Sequence, residues 1–175
     1  MINQSLLNHT IVDTPIGQIL VVGSGKGLRK VSIHTSQKSV SESIAQQCPQ
    51  SIELPDGFGG LPQRLKRYVH GEKIIFNDKL DLGNATPFRR AVWEATRSIP
   101  YGETRSYEWI AQRIGKPKAA RAVGQALKSN PFPIIVPCHR VIGKDGSLTG
   151  FSCGIDVKKR LLDMEASPHA TNRAH

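Results

Sequence analysis

Apolar residues recur at helical spacing in several stretches of the C-terminal half of the chain. In residues 119–130, AARAVGQALKSN, the positions Ala119, Val123, Ala126 and Leu127 share one side. Arg121, Gln125 and Lys128 repeat at i, i+4, i+7 on the opposite face, so this stretch predicts an amphipathic helix with an amide and two cations outward. Residues 107–114 predict a helix before it, with Ser106 placed to cap its start and Gly115 to stop its end. Joined by Gly-Lys-Pro-Lys, the two form a helix-turn-helix pattern, which on pattern alone fits DNA binding or a helical hairpin in a core. Upstream, Thr86 and Pro87 suit the N-cap and first position of a helix whose stripe is Phe88, Ala91, Val92, Ala95 and Ile99. A further helix is predicted over about 155–166, with Val157, Leu161, Leu162 and Glu165 on one face.

Two regions break the helical period. Ile134, Ile135 and Val136 are β-branched, lie among Pro131, Pro133 and Pro137, and predict a short buried strand. Residues 35–62 are polar, rich in Ser and Gln, and interrupted by Pro49, Pro55, Gly57, Gly59 and Gly60. They predict a short helix followed by a loop. The tail beyond Ser167 is mixed and polar and predicts disorder.

Charge sharpens the helix-turn-helix reading. The 175 residues carry 24 Lys+Arg against 14 Asp+Glu, a formal net charge of +10, which fits a polyanionic partner or a merely basic, soluble surface. Several cations gather beside the second helix: Arg113, Lys116, Lys118, Arg121 and Lys128. That clustering favours DNA.

The candidate chemistry lies just downstream. In NPFPIIVPCHRV, residues 130–141, a cysteine leaves the proline-bounded run directly into His-Arg. Each proline fixes its own φ and restricts the residue before it, so Cys138 would be held by a rigid frame, as near-attack geometry requires. A free thiol is only a few per cent ionised near neutrality, and His139 and Arg140 are the nearest sources of a base or a positive charge. If the chain stays extended, Cys138 and His139 point apart, and their contact needs a turn or a bridging water. A buried structural cysteine beside a surface His-Arg pair is the bland alternative. Glu165 adds weight to the chemical reading, because a carboxylate on an apolar helix face is costly to bury unless paired. A glutamate at a frayed, solvated helix end is the competing account.

Read together, the segments TPFRRAVWEA (86–95), IPYGETRSY (99–107), ARAVGQALKSNPFPIIVPCHRVIG (120–143), GFSCG (150–154) and VKKRLLDME (157–165) resemble the O6-alkylguanine-DNA alkyltransferases, or methylated-DNA–protein-cysteine methyltransferases. TPIGQILVV (14–22) and KGLRKVSI (26–33) resemble that family's smaller, more variable domain. The resemblance covers most of the chain, tightly after about residue 85.

It implies an α/β chain of the α+β kind. A small N-terminal mixed α/β domain with an antiparallel sheet (1–84) would precede a mainly helical C-terminal domain containing the helix-turn-helix (85–167), with 168–175 as a tail. It also implies a DNA-repair protein that flips O6-alkylguanine out of duplex DNA and moves the alkyl group irreversibly to its own cysteine, once per molecule. Cys138 would be the acceptor, His139 the base acting through a water, and Glu165 its orienting carboxylate. Tyr107 would protonate the departing guanine, and Asn130 would tie the recognition helix to the acceptor segment. Arg121 would fill the gap left by the flipped base. The DNA face would comprise Arg121, Ala120, Ala122, Gly124, Gln125, Lys128 and Arg140, with the helix in the minor groove. Tyr107, Val141, Phe151, Ser152 and Cys153 would line the alkylguanine pocket.

The physical demands agree with such an assignment. Displacement at carbon needs a soft, aimed nucleophile, and guanine leaves poorly unless protonated. Its O6 lies inside the duplex, so the base must be extruded at a cost of a few kcal/mol. A degenerate minor-groove contact suits a protein that must find a lesion in any sequence. The chain departs from the family where the segment after Gly150 ordinarily ends in two glycines, because Cys153 precedes Gly154. That residue adds bulk and a second thiol to the pocket wall, and puts the range of accepted alkyl groups in question.

A different class of function sits on the same scaffold: a non-catalytic protein that binds the alkyl lesion or regulates. The family's non-repairing relatives lack the cysteine, whereas Cys138 is present here. A plain helix-turn-helix regulator would have no need of the PCHRV segment. Three cysteines, an odd number, without a leader segment fit a reducing cytoplasm. Cys48 reads as incidental. No run is long enough to span a membrane, no spacing of Cys and His suggests zinc, and no phosphate-binding loop is present, so no cofactor is expected. The expected partner is double-stranded DNA carrying O6-alkylguanine, bound by a monomer.

Overall fold

The computed structural model describes residues 6–167; the expected tail at 168–175 lies outside them. Alternation builds the N-terminal sheet. Strands β1 (Asn8–Thr14), β2 (Gly17–Ser24) and β3 (Gly27–His34) are consecutive and antiparallel. In β2, Ile19 and Val21 enter the main core while Leu20 and Val22 face the other way, under helix α1 (Gln37–Gln47), with Val40 and Cys48. Ser36 caps that helix by accepting from Ser39 N. The sheet is not wholly antiparallel: β4 (Ile52–Glu53) joins β1 in parallel, giving the order β3-β2-β1-β4. A two-residue strand inside a polar, turn-rich stretch carries no periodicity that could predict it.

Helix α2 (Leu61–Val69) closes this half, burying Leu61, Leu65, Tyr68 and Val69 at i, i+4, i+7, i+8. The segment that follows is held by ionic contacts. Arg64 grips Asp78 through two hydrogen bonds of 2.9 and 2.6 Å, and Arg97 donates to the Phe76 carbonyl at 2.8 Å.

The remainder is helical. Helix α3 (Pro87–Arg97) starts where Thr86 Oγ1 accepts from Arg89 N. A two-residue strand, β5 (Arg105–Ser106), runs into α4 (Tyr107–Arg113), whose N-cap Ser106 accepts from Trp109 N. Gly115, just past the end of α4, has φ +71°, the left-handed conformation that glycine adopts without penalty. Helix α5 (Ala120–Lys128) buries Val123, Ala126 and Leu127 and leaves Arg121, Ala122, Gln125 and Lys128 exposed. β6 (Val141–Ile142) pairs with β5 in parallel, and α6 (Ile155–Ala166) completes the chain. One apolar core runs from Val12 and Leu65 through Trp93, Ile110 and Phe132 to Leu161. No helix of the described residues is long and apolar enough to cross a membrane.

Candidate active site

The segment after α5 is a buried turn, which corrects the expected strand at 134–136. Pro131, Pro133 and Pro137 have no N–H to give to a ladder, and Val136 N instead donates back to the Phe132 carbonyl at 2.8 Å. Ile134 sits at φ +74°. A β-branched residue there is strained by about 1–3 kcal/mol, and the surrounding packing must hold it; Phe132, Ile134, Ile135 and Val136 are all buried. From Cys138 to Arg140 the chain turns as a 3-10 helix, so the three side chains fan out instead of alternating.

Asn130 ties this turn to the end of α5. Its Nδ2 donates to the Val136 carbonyl at 3.0 Å and to Cys138 Sγ at 3.2 Å, while its Oδ1 accepts from Phe132 N at 2.9 Å. Every polar atom of the buried amide is used, which fixes both its rotamer and the sulfur. Cys138 is buried, and burial pushes its thiol up to about 11, with Cys153 nearby adding to the rise. The Asn130 bond and the charge of Lys158 act against that rise.

His139, fully buried, donates from Nε2 to Glu165 Oε1 at 2.8 Å. Its Nδ1 finds no hydrogen-bond partner among the described residues. With Nε2 carrying the proton toward a carboxylate, Nδ1 is left with a bare lone pair, the state a base needs. Desolvation lowers the imidazole pKa, and the bond and charge of Glu165 partly oppose it. Burial alone would raise the Glu165 carboxyl. Hydrogen bonds and charge from His139 and Arg140 outweigh burial and hold it well below the usual carboxylate range.

Arg140 corrects a second expectation. The family resemblance implies a place on the DNA face, but the guanidinium turns inward: Nε and Nη2 donate to Glu165 at 2.9 Å each, and Nη1 donates to the Ile99 carbonyl at 2.8 Å. The physical reason is Glu165, a buried anion that must be paired. Gly102 N completes the carboxylate's set at 3.1 Å.

Two members of the cluster, Lys158 and Tyr68, are not among the residues that the sequence singles out, though each carries a signal. Lys158 is buried, donating from Nζ to the Val141 carbonyl at 2.6 Å and to the Thr149 carbonyl at 3.0 Å. It stands on the same i, i+3, i+7 stripe as Leu161 and Glu165, and that spacing was its signal. Tyr68 enters from α2, and its hydroxyl donates to Glu165 Oε1 at 2.6 Å. A tyrosine on an apolar helix stripe announces a hydroxyl in search of a partner, though not which one.

The remaining candidates lie on the open side. Tyr107, Ala120, Arg121, Gly124, Gln125 and Lys128 line a groove of about 600 Å³ that ends at Thr149 and Gly150. Tyr107 opens α4, and its hydroxyl donates to the Thr149 carbonyl at 3.0 Å. Gly124 leaves room beside it, since an added Cβ would come to 3.8 Å of the Tyr107 ring. Ala122 is exposed next to Arg121. The β5–β6 pair joins the residues before Tyr107 to those after Arg140, and so fixes the groove relative to the thiol. Val141 is fully buried and Phe151 nearly so, Ser152 is exposed, and Cys153 is half-buried. The structure thus brings Cys138, His139, Glu165 and Asn130 into one buried knot. Tyr107 and the basic helix face stand outside it, across the 143–154 segment.

Two family models match the chain: "6-O-methylguanine DNA methyltransferase, ribonuclease-like domain" over residues 7–82 and "6-O-methylguanine DNA methyltransferase, DNA binding domain" over residues 87–167. A methylated-DNA–protein-cysteine methyltransferase of Methanosarcina acetivorans is 44% identical over 160 residues, 91% of this chain and 98% of that protein. One of Mycobacterium tuberculosis is 43% identical over 162 residues, 93% and 94% of the two chains. A crystal structure of the Mycobacterium tuberculosis O6-methylguanine methyltransferase superposes with a TM-score of 0.79 at 40% identity, covering 95% of this chain and 97% of that one. Another from that organism, in complex with DNA, gives 0.78 at 41% identity, covering 91% and 92%. By both halves of its sequence and by its fold, this chain belongs to the methylated-DNA–protein-cysteine methyltransferase family.

Proposed function

We propose that the chain removes the alkyl group from O6 of guanine in double-stranded DNA and keeps it on Cys138, once per molecule. The observation that carries this reading is the buried knot itself. A thiol fixed by Asn130 stands next in sequence to a neutral imidazole whose Nε2 is committed to Glu165 and whose Nδ1 is bare. An ordinary thiol is only a few per cent ionised near neutrality, and burial makes the thiolate scarcer still. A base must therefore take the proton as the sulfur attacks. His139 Nδ1 is that base, through one water, and Glu165 stabilises the imidazolium that forms.

In the transfer step the Cys138 Sγ–carbon bond forms as the carbon–O6 bond breaks. The thiol proton passes to His139, and the departing guanine takes a proton from Tyr107, which regains one from solvent. For that, the Tyr107 hydroxyl must exchange the Thr149 carbonyl for the base. Helix α5 approaches the minor groove with its small residues Ala120, Ala122 and Gly124. Arg121 replaces the extruded base in the stack, and Gln125 and Lys128 hold the backbone. Val141, Phe151, Ser152 and Cys153 form the wall around the flipped base. The protein acts as a monomer in a reducing cytoplasm, where the acceptor stays a free thiol.

The test is a duplex with a single O6-methylguanine, mixed with the protein and read by intact mass and peptide mapping. One added methyl on the peptide containing Cys138, with plain guanine left in the DNA, is the expected result. An unmodified protein that still binds the lesion duplex would replace transfer by lesion recognition and make Cys153 the first suspect.

A further inference from the structure

The knot around Glu165 is not built by the C-terminal half alone. Tyr68 lies on α2, 97 residues before its partner, and its hydroxyl is 2.6 Å from Glu165 Oε1 and 3.1 Å from His139 Nε2. The ring is fully buried and meets Phe76 and Tyr101 edge to face, with centroids 5.5 and 6.1 Å away. A phenyl group would make the same packing contacts. The hydroxyl is therefore an addition that apolar packing does not call for, and burying it would be unfavourable without its partners.

We infer that Tyr68 is a positioning residue for alkyl transfer: through its hydroxyl, the N-terminal domain completes the base relay and holds His139 in the state with Nδ1 bare. The inference rests on the reading of His139 as the base. The bond to Glu165 is short and to a charged acceptor, so the Tyr68 proton is committed there. Toward His139 its oxygen can then only accept, and it gives the Nε2–H a second acceptor beside the carboxylate. Both contacts favour the same tautomer. The hydroxyl also takes up part of the charge on Oε1, which already receives His139 Nε2 at 2.8 Å and Arg140 Nη2 at 2.9 Å. Without it, the carboxylate draws harder on the imidazole, and the ring protonates at higher pH and ceases to be a base. Of the charged groups facing the ring, Glu165 raises its proton affinity, whereas Arg140 and Lys158 lower it.

The experiment is single-turnover methyl transfer from an O6-methylguanine duplex to the full chain between pH 5 and 9, with Tyr68→Phe, Glu165→Gln, His139→Asn and the Tyr68→Phe/Glu165→Gln pair. Tyr68→Phe is expected to move the acid limb of the rate profile upward by about half a unit to one unit, slowing transfer about fivefold at pH 6 and less at pH 8. Because the hydroxyl works through the carboxylate, Tyr68→Phe should add little once Glu165 is Gln. Binding of the lesion duplex, measured in a Cys138→Ser background, should be unchanged. A native rate for Tyr68→Phe at every pH would overturn the inference. So would a loss equal at all pH values that follows a fall in melting temperature, since that marks a purely structural role. His139→Asn reacting at the native rate would instead remove the base reading itself, whatever Tyr68 does.

Discussion

The two faces of the C-terminal half follow opposite rules. At the knot, five N–H and O–H groups converge on the buried Glu165 carboxylate: one each from Tyr68, His139 and Gly102, and two from Arg140. Across the 143–154 segment, α5 shows Arg121, Ala122, Gln125 and Lys128 to solvent, and among the described residues no carboxylate pairs with Arg121 or Lys128. One region pairs its polar groups with each other, and the other leaves them facing solvent. Changes in the first should therefore alter rate and stability, and changes to the charged face of α5 should alter binding.

The sharpest break in that comparison is Cys138→Ser, expected to abolish methyl transfer while leaving binding to an O6-methylguanine duplex within about twofold, as gel shift and mass spectrometry would read together. Glu165→Ala follows. It leaves Arg140 buried without its counter-ion, so denaturant unfolding should show a loss of about 3–5 kcal/mol. The pH dependence of that contribution has a definite sign. The folded carboxyl is held below its unfolded value, so its stabilisation is complete above the unfolded pKa near 4.3 and disappears as pH falls through the folded value. Melting curves at pH 7 and pH 3 should converge for the native protein and Glu165→Gln as pH drops. A constant gap between them would deny the carboxylate its role in stability.

On the open side, Tyr107→Phe should slow transfer about tenfold or more in single-turnover assays while largely sparing DNA affinity. A native rate would break its leaving-group role. Arg121→Ala should weaken lesion engagement about tenfold, or about 1.4 kcal/mol, and reduce the salt dependence of binding. The smallest change is Gly124→Ala. Its Cβ meets the Tyr107 ring at an ordinary 3.8 Å, and helix propensity favours alanine by about 1 kcal/mol. Melting temperature should rise slightly and binding should fall a few-fold.

The same contrast explains what could be read from the sequence. Surface faces and caps are local: Ser106, Thr86 and Gly115 stand at their helix ends, and the Arg121–Gln125–Lys128 stripe is exposed. The knot is non-local. An arginine next to His139 reads as surface charge until Glu165 is known to lie 2.9 Å away, and Tyr68 reads as one more core aromatic until its hydroxyl is placed. The turn at 134–136 misled for another reason. β-branched residues favour strands through packing on a pleated sheet, and here three prolines removed the ladder while burial kept the side chains.

One bond has a wider effect. Val31 N donates to the Pro131 carbonyl at 2.8 Å, and Leu28 exchanges backbone hydrogen bonds with Lys79 and Asp81. The turn after α5 and the segment at 79–81 thereby cover the outer rim of β3, while the opposite rim is the two-residue β4. An uncovered rim is a template on which a second chain can add its own strand. The turn that carries Cys138 also shields the sheet from self-association, so any event that pries it loose would put solubility at risk along with the geometry around the thiol.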